Sequence, residues 1–365
     1  MAVCLSLINM KGGVGKTTLA SQIAWYAAMH LDRKVLLVDL DPQANASQSV
    51  MSPQKYVSYL DAGGLTVADI FEQFTPTGVA SGSPKKLDPV KVIFSRVEYT
   101  DGSLVHIVPS RLELSWTLRN PTGKETLLPR FIAKIEQRYD LIVIDCAPTD
   151  SILTDAAYHC SRYILVPIRA EFLASIGFPL LNRSIKAFQI RHEDHVIEVC
   201  GLVFNDFVRG NVKSENKLAR KDVQEKAAEY GWYIFQNDIP HSDSYFKAAR
   251  DGMPISGTKG AHGIVKTEFV KFALEERFLK CRVGHLHRLQ AVAGRHVHRD
   301  GAVGVQHSAA KSDGGNVAFG RGAQAQDEAQ GAGRNIGLIR MRHHRGIKKR
   351  RSLERILVSE ISAQQ

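Results

Sequence analysis

The 365-residue chain is poor in cysteine, and its five (Cys4, Cys146, Cys160, Cys200 and Cys281) form no C-x-x-C pair. That scatter argues against a zinc site or a disulfide framework and for buried, reduced thiols. No apolar run approaches the length of a membrane span. The N-terminus leads through an apolar strand straight into a glycine loop, with no charged segment and cleavage site. The expectation is a cytosolic protein. From Cys281 onward proline is absent and Phe319 is the one aromatic residue, whereas 12 of the 29 glycines and 7 of the 14 histidines lie there. Such a segment cannot bury enough apolar surface to offset its ordering entropy, so residues 281–365 are expected to be largely disordered. Their histidines fit no metal-ligand spacing.

The excess of positive charge is equally local. Of the net +11, residues 281–365 hold 15 of the 48 Lys+Arg against 6 of the 37 Asp+Glu, leaving residues 1–280 nearly neutral. The basic character of the whole chain therefore says little about its main domain. The change of texture, to Gly, Ala, Arg and His, fits either a real basic extension or the translation of GC-rich DNA in a wrong reading frame.

With 44% hydrophobic residues, the 365-residue chain can bury a substantial core. "AVCLSLIN", "KVLLVDLD", "LVHIVPS", "YDLIVIDCAP", "YILVPI" and "VCGLVFND" are nearly continuous apolar runs, as strands buried on both faces should be. "TTLASQIAWYAAMHL" between the first two carries Leu19, Ile23, Tyr26 and Ala27 at helical spacing. The other intervals are long enough for crossover helices. The pattern predicts the α/β class: a doubly wound, mostly parallel sheet with helices on both faces and its site at the carboxyl ends of the strands. Residues 75–102, with Pro76, Gly78, Gly82, Pro84 and Pro89, read as surface loops around a short strand.

The chemistry is concentrated in "NMKGGVGKTT", residues 9–18. The backbone of Gly12, Gly13, Val14 and Gly15 can turn its N–H groups toward phosphates, and a helix N-terminus follows. Lys16 would place its ammonium between the β- and γ-phosphates, the Thr17 hydroxyl would ligate Mg²⁺, and Thr18 would reach the α-phosphate. The usual P-loop pattern asks for glycine at position 10, where Met10 stands, followed by a second lysine, Lys11. A lysine at the start of the loop is badly placed for its own γ-phosphate but can cross to a partner's nucleotide in a face-to-face dimer, as arginine fingers do. Two carboxylates, Asp39 and Asp41, end the second strand beside the loop, and "LIVIDCAP" brings Asp145 to the same edge. These are candidates for water and metal work.

"KGGVGKTT" resembles the deviant Walker A box of the ParA/MinD ATPases, and "VDLDPQANAS" resembles the second box of ParA-type, Soj-like partition ATPases, both within the P-loop NTPases. The resemblance covers about residues 1–280. It implies that Asp41 orients the attacking water and shifts with nucleotide state, that Asp41, Asp145 and Thr17 hold Mg²⁺, and that Pro148 belongs to a second switch. "GLVFND" and "DIPHSDSYFKAARDGMPI" resemble the adenine side, which implies Asn205 and the backbone at Pro240 around the base. No [NT]-K-x-D stands where a guanine site needs it, so ATP is expected rather than GTP.

The implied function is an ATP-dependent dimerising switch in plasmid or chromosome partitioning. Its hydrolysis would be slow and stimulated by a centromere-binding, ParB-like partner. The ATP dimer would bind nonspecific DNA, in the cytoplasm and on the nucleoid. Candidate DNA contacts are Arg209, Lys213, Lys217, Arg220 and Lys221, with Lys213, Lys217 and Arg220 able to share a helix face, and Lys247 and Arg250 further on. His241 and Ser244 stand where many relatives carry arginines. In the tail, "RMRHHRGIKKRRS" suits nucleic acid, whereas with "LERILVSEI" after it the stretch resembles a membrane-surface helix. The alternative function is therefore a MinD-like, membrane-cycling positioning ATPase. A membrane partner is nevertheless not the expectation, because MinD-like chains do not usually carry the D-P-Q box.

Overall fold

The computed structural model describes residues 2–73, 87–171, 177–207, 214–275 and 277–278. These belong to one compact unit. The tail expected to be disordered lies outside the described residues, as do candidate DNA contacts Arg209 and Lys213.

Among the described residues eight strands build one sheet: β1 (Val3–Leu7), β2 (Lys34–Leu40), β3 (Phe94–Glu98), β4 (Leu104–Val108), β5 (Leu141–Cys146), β6 (Tyr163–Ile168), β7 (Glu198–Phe207) and β8 (Ile239–Pro240). Their order is β3-β4-β2-β5-β1-β6-β7-β8, parallel throughout except for β3, which runs antiparallel along β4. All the apolar runs form strands of this sheet. The short strand expected within residues 75–102 is β3, and its position at an edge explains its half-polar sequence. Expected α/β architecture and observed sheet agree, with helices on both faces.

Consecutive side chains on a strand point to opposite faces, and the core divides accordingly. Leu36, Val38, Ile142 and Ile144 face one layer, with helices α4 (Val67–Glu72), α6 (Leu127–Ala133), α7 (Ile152–Cys160), α8 (Gly177–Arg191) and α9 (Ser214–Tyr230). Val35, Leu37, Leu141 and Val143 face the other, with α1 (Lys16–Leu31), α2 (Asn45–Met51), α3 (Pro53–Asp61), α10 (Ser244–Asp251) and α11 (Gly263–Leu274). A short helix, α5 (Ser115–Arg119), lies between β4 and α6. Helix α1 is buried along most of its circumference, including Leu19, Ile23, Trp25 and Ala27, so its start is a fixed post for the loop before it.

Local chemistry sets the ends. Helix α4 opens with a capping box in which the Thr66 backbone N–H donates to Asp69 Oδ2 at 2.8 Å. Helix α10 ends at Gly252, φ +61°, where a Cβ would approach the Ser52 backbone nitrogen to 3.0 Å. Arg96 of β3 fastens this corner: Nε donates to Val50 O at 2.7 Å, Nη2 to Gly252 O at 2.8 Å, and the guanidinium lies 5.5 Å from the Trp25 ring centre. Burial holds the Arg96 pKa below its usual value, so those carbonyls are what keep the charge inside.

Removing that side chain would strand two carbonyls that end separate elements. Arg96→Ala is expected to cost about 2–3 kcal/mol, read as a lower midpoint in urea with an unchanged slope. Stability equal to the parent's would show that the corner closes without it.

Candidate nucleotide site

The glycine loop lies against the carboxyl ends of β1, β2, β5, β6 and β7. The loop leaves β1 after Ile8 and enters α1 at Gly15, φ +88°, with Gly13 at φ +74°. A Cβ on Gly15 would overlap the Asn205 carboxamide, whose Nδ2 donates to Val14 O at 2.9 Å. Gly12 and Gly13 are exposed, Val14 is buried, and Thr17 and Thr18 stand half-buried in the first turn. No side chain caps α1, so its first N–H groups remain available to an anion and the helix dipole favours one.

The two lysines have separate attachments. Lys16 is buried, with Nζ donating to the carbonyls of Asn9 and Lys11, both at 3.0 Å. Burial lowers its pKa, and the carboxylate of Asp145, the thiol of Cys146 and the carboxylate of Asp41 pull it back up. Lys11 points away from the loop, and its Nζ donates to Glu171 Oε2 at 2.6 Å. Arg169 Nε lies 3.2 Å from the other Glu171 oxygen. The hydrogen bond from Lys11 is the main cause that lowers the Glu171 pKa. The Lys11 and Glu171 side chains are 31% and 42% exposed, and a pair so open to water contributes about 1 kcal/mol or less. A phosphate can displace it.

Asp39 and Asp145 are partners in the parallel pairing of β2 and β5, and both are fully buried. Asp39 Oδ2 accepts from the Ser47 backbone N–H at 2.7 Å and from its hydroxyl at 2.6 Å, while Oδ1 accepts weakly from the Asp41 N–H at 3.3 Å. Burial still pushes Asp39 up to about 7, against the pull of the Ser47 donors. Asp145 is raised well above the carboxylate range by burial first and by the charge of Asp39 second, with Thr17 and Lys16 pulling it down. Neither Asp145 oxygen has a hydrogen-bond partner within bonding geometry. Asp41 lies nearer the surface, 8% exposed, its Oδ1 accepting from the Gln43 N–H at 2.9 Å. A dry carboxylate with both oxygens unused, beside a threonine hydroxyl and a second acid, is a fitting donor set for a small hard cation.

The arrangement has relatives. The AAA domain family matches residues 2–198, more than half of the chain. A chromosome-partitioning ATPase Soj from Thermus thermophilus is 31% identical over 263 residues, covering 71% of this chain and 90% of its own. Its counterpart in Treponema pallidum is 29% identical over 260 residues, 70% of this chain and 90% of its own. The chain belongs to the ParA/Soj-type P-loop ATPases. Among solved structures, the ATP complex of a single-residue variant of Cyanothece McdA superposes with a TM-score of 0.59 at 17% identity, over 74% of this chain and 95% of that one, which supports the fold.

The structure brings Lys11 to Thr18, Asp41, Asp145 and Asn205 to one edge of the sheet. Pro240 is buried on β8, paired with Phe207 of β7, next to the Asn205–Ile239 pair. The proposed DNA contacts fare differently. Arg220 turns inward, donating to both Asp238 oxygens at 2.7 and 3.0 Å with its guanidinium 4.1 Å from the Phe204 ring centre. It braces α9 to the segment before β8, so the face expected to join Lys213, Lys217 and Arg220 loses that member. Lys221 pairs with Glu225 at 3.7 Å and Arg250 with Asp251 at 3.7 Å, both on exposed surface, and Lys217 and Lys247 are exposed. Sequence reading missed Asn9, Ser47 and Glu171. The place of Glu171, three residues beyond the apolar run of β6, was a usable signal, because sites in parallel sheets lie there.

Among the described residues no helix is long and apolar enough to cross a membrane.

The buried acid pair gives a pH signature. With its folded pKa above the unfolded value, Asp39 binds more protons in the folded state, so its effect on stability grows less favourable as pH rises from about 4 toward 7. Asp39→Asn, without nucleotide, is expected to melt higher than the parent at pH 8 and to lose that advantage at pH 4. A gap that does not change with pH would refute the assignment.

Proposed function

We propose that the chain is an ATP- and Mg²⁺-dependent switch that dimerises face to face, binds nonspecific DNA as the dimer, and partitions a plasmid or chromosome. The observation that carries the reading is the pair of lysines on one glycine loop. Lys16 lies within the loop, and Lys11 is held outside it by a bond that solvent already weakens. The ATPase core is proposed to end near residue 280, with the basic tail outside it.

In this reading the N–H groups of Gly12 to Lys16 and the start of α1 take the phosphates. Lys16 exchanges its carbonyl partners for β- and γ-oxygens, where a buried ammonium is worth more than in water. Thr17, Asp145 and Asp41 are the proposed residues for Mg²⁺, which would neutralise developing negative charge on the phosphates. Asp41, nearest to solvent of the three acids, is proposed to orient the attacking water. Asn205 and the Pro240 backbone are proposed to border adenine. Lys11 leaves Glu171 and reaches the nucleotide of the second protomer. Hydrolysis is proposed to be slow until a ParB-like, centromere-binding partner stimulates it, and the protein is proposed to work in the cytoplasm and on the nucleoid.

The DNA surface is proposed around Lys217 and Lys247, with Lys221 and Arg250 in support. Sedimentation with plasmid DNA or anionic vesicles, in ATP or ADP, tests the reading together with Lys11→Ala. ATP-dependent pelleting with DNA, abolished by salt and by the substitution, is the expected result. Pelleting with vesicles instead would transfer the chain to the membrane-cycling class. The pair Lys217→Glu and Lys247→Glu should weaken DNA binding at least tenfold and reduce its salt slope by about 2, with basal hydrolysis unaltered. Undiminished affinity would remove this surface from consideration.

A further inference from the structure

Asn9 lies one residue beyond the point where the loop leaves the sheet, and it is 6% exposed. Its Nδ2 donates to Pro167 O at 2.7 Å and its Oδ1 accepts from the Lys11 backbone N–H at 2.9 Å. The two bonds continue a ladder whose last backbone rung in this direction is Ile8 N–H to Leu165 O at 3.1 Å. A side chain thus takes over where the strand pairing stops, tying the loop to the exit of β6. That same exit carries Glu171, which grips the Lys11 ammonium. Both ends of Lys11 therefore depend on residues 167–171, one through Asn9 and one directly.

We propose that Asn9 is the positioning residue for Lys11: its carboxamide links the backbone of the loop's first lysine to the exit of β6 and so sets whether that lysine reaches a second protomer's nucleotide. The inference rests on the trans role given to Lys11 above. The chemistry requires one short side chain that donates and accepts at once. Aspartate would set a carboxylate against the Pro167 carbonyl, and serine would keep an acceptor but not the span. Lys16 is served differently, because its ammonium bonds two backbone carbonyls, those of Asn9 and Lys11, and no side-chain atom of Asn9, so substitution leaves both acceptors in place. Asn9 thereby serves the two lysines through different atoms, its side chain bonding the Lys11 backbone and its carbonyl the Lys16 ammonium, which the Lys11 carbonyl also holds. A loss of the side chain should spare nucleotide binding within a protomer and weaken the step that needs two.

Dimerisation with ATP, followed by analytical ultracentrifugation, and binding of a fluorescent ATP analogue form the test. They are applied to the parent, Asn9→Ala, Asn9→Asp, Lys11→Ala and the Asn9→Ala/Lys11→Ala double variant. Asn9→Ala and Asn9→Asp are each expected to weaken ATP-dependent dimerisation about tenfold. The double variant should dimerise no worse than Lys11→Ala and bind the analogue as tightly as Lys11→Ala, because in that background nothing is left for Asn9 to position. Asn9→Asp, nearly isosteric, keeps the test open should the alanine variant fail to fold. Losses that add in the double variant, or an analogue affinity that falls with Asn9 in the Lys11→Ala background, would overturn the proposal and make Asn9 a general support of the loop. A parent that does not dimerise with ATP, or a Lys11→Ala variant that dimerises normally, would refute the trans role itself. Neither of those observations involves a change at Asn9.

Discussion

Two carboxylates set side by side at the dry end of a parallel sheet are the constraint that organises this molecule. Asp39 and Asp145 oppose each other on adjacent strands, buried from bulk solvent, and like charges so placed cannot both ionise at low cost. The surrounding construction answers that problem. Ser47 gives Asp39 two donors, Lys16 brings a positive charge from the loop, and the unpartnered oxygens of Asp145 are the ones proposed above for Mg²⁺. An acid pair of this kind is unfavourable unless positive charge lies beside it.

The same residues join neighbouring segments to the pair. The Ser47 hydroxyl that donates to Asp39 accepts from the Ser110 N–H at 2.8 Å, and the Tyr56 hydroxyl donates to Ser110 O at 3.0 Å. The end of β2, the start of α2, helix α3 and the exit of β4 are thus joined by consecutive hydrogen bonds. Charge neutralisation at Asp39 has a bonded route into that corner, whereas α1, packed around most of its girth, offers a stationary reference on the other side.

Much of this was legible in the sequence because it rests on local pattern. Strands β1, β2, β4, β5, β6 and β7 are apolar without alternation since helices cover both their faces, and glycines at 12, 13 and 15 announce a phosphate loop wherever a helix follows. What escaped depends on partners distant in the chain. Whether Arg220 faces solvent or Asp238 is decided by the packing of α9, and charge spacing along a helix carries no trace of it. Glu171 and Asn9 are ordinary polar residues until the exit of β6 is laid beside the loop, 158 to 160 positions away. Strand β8, two residues long, has too little sequence to show a period. The antiparallel β3 alternates like any exposed hairpin strand, and nothing in it announces its place beside β4.

The two sheet margins, described above only as positions in an order, also govern what the protein does in a crowd. One margin is a strand of five residues that presents Ser95 and Glu98 outward and commits Arg96 inward; the other is the two-residue β8. Neither offers the long, flat, apolar rail on which a foreign strand could add itself. Among the described residues, a molecule whose proposed work requires meeting its own copy thus presents no generic template edge for chains to stick together. The proposed recognition of self is then left to a face whose fit can be made conditional on a ligand.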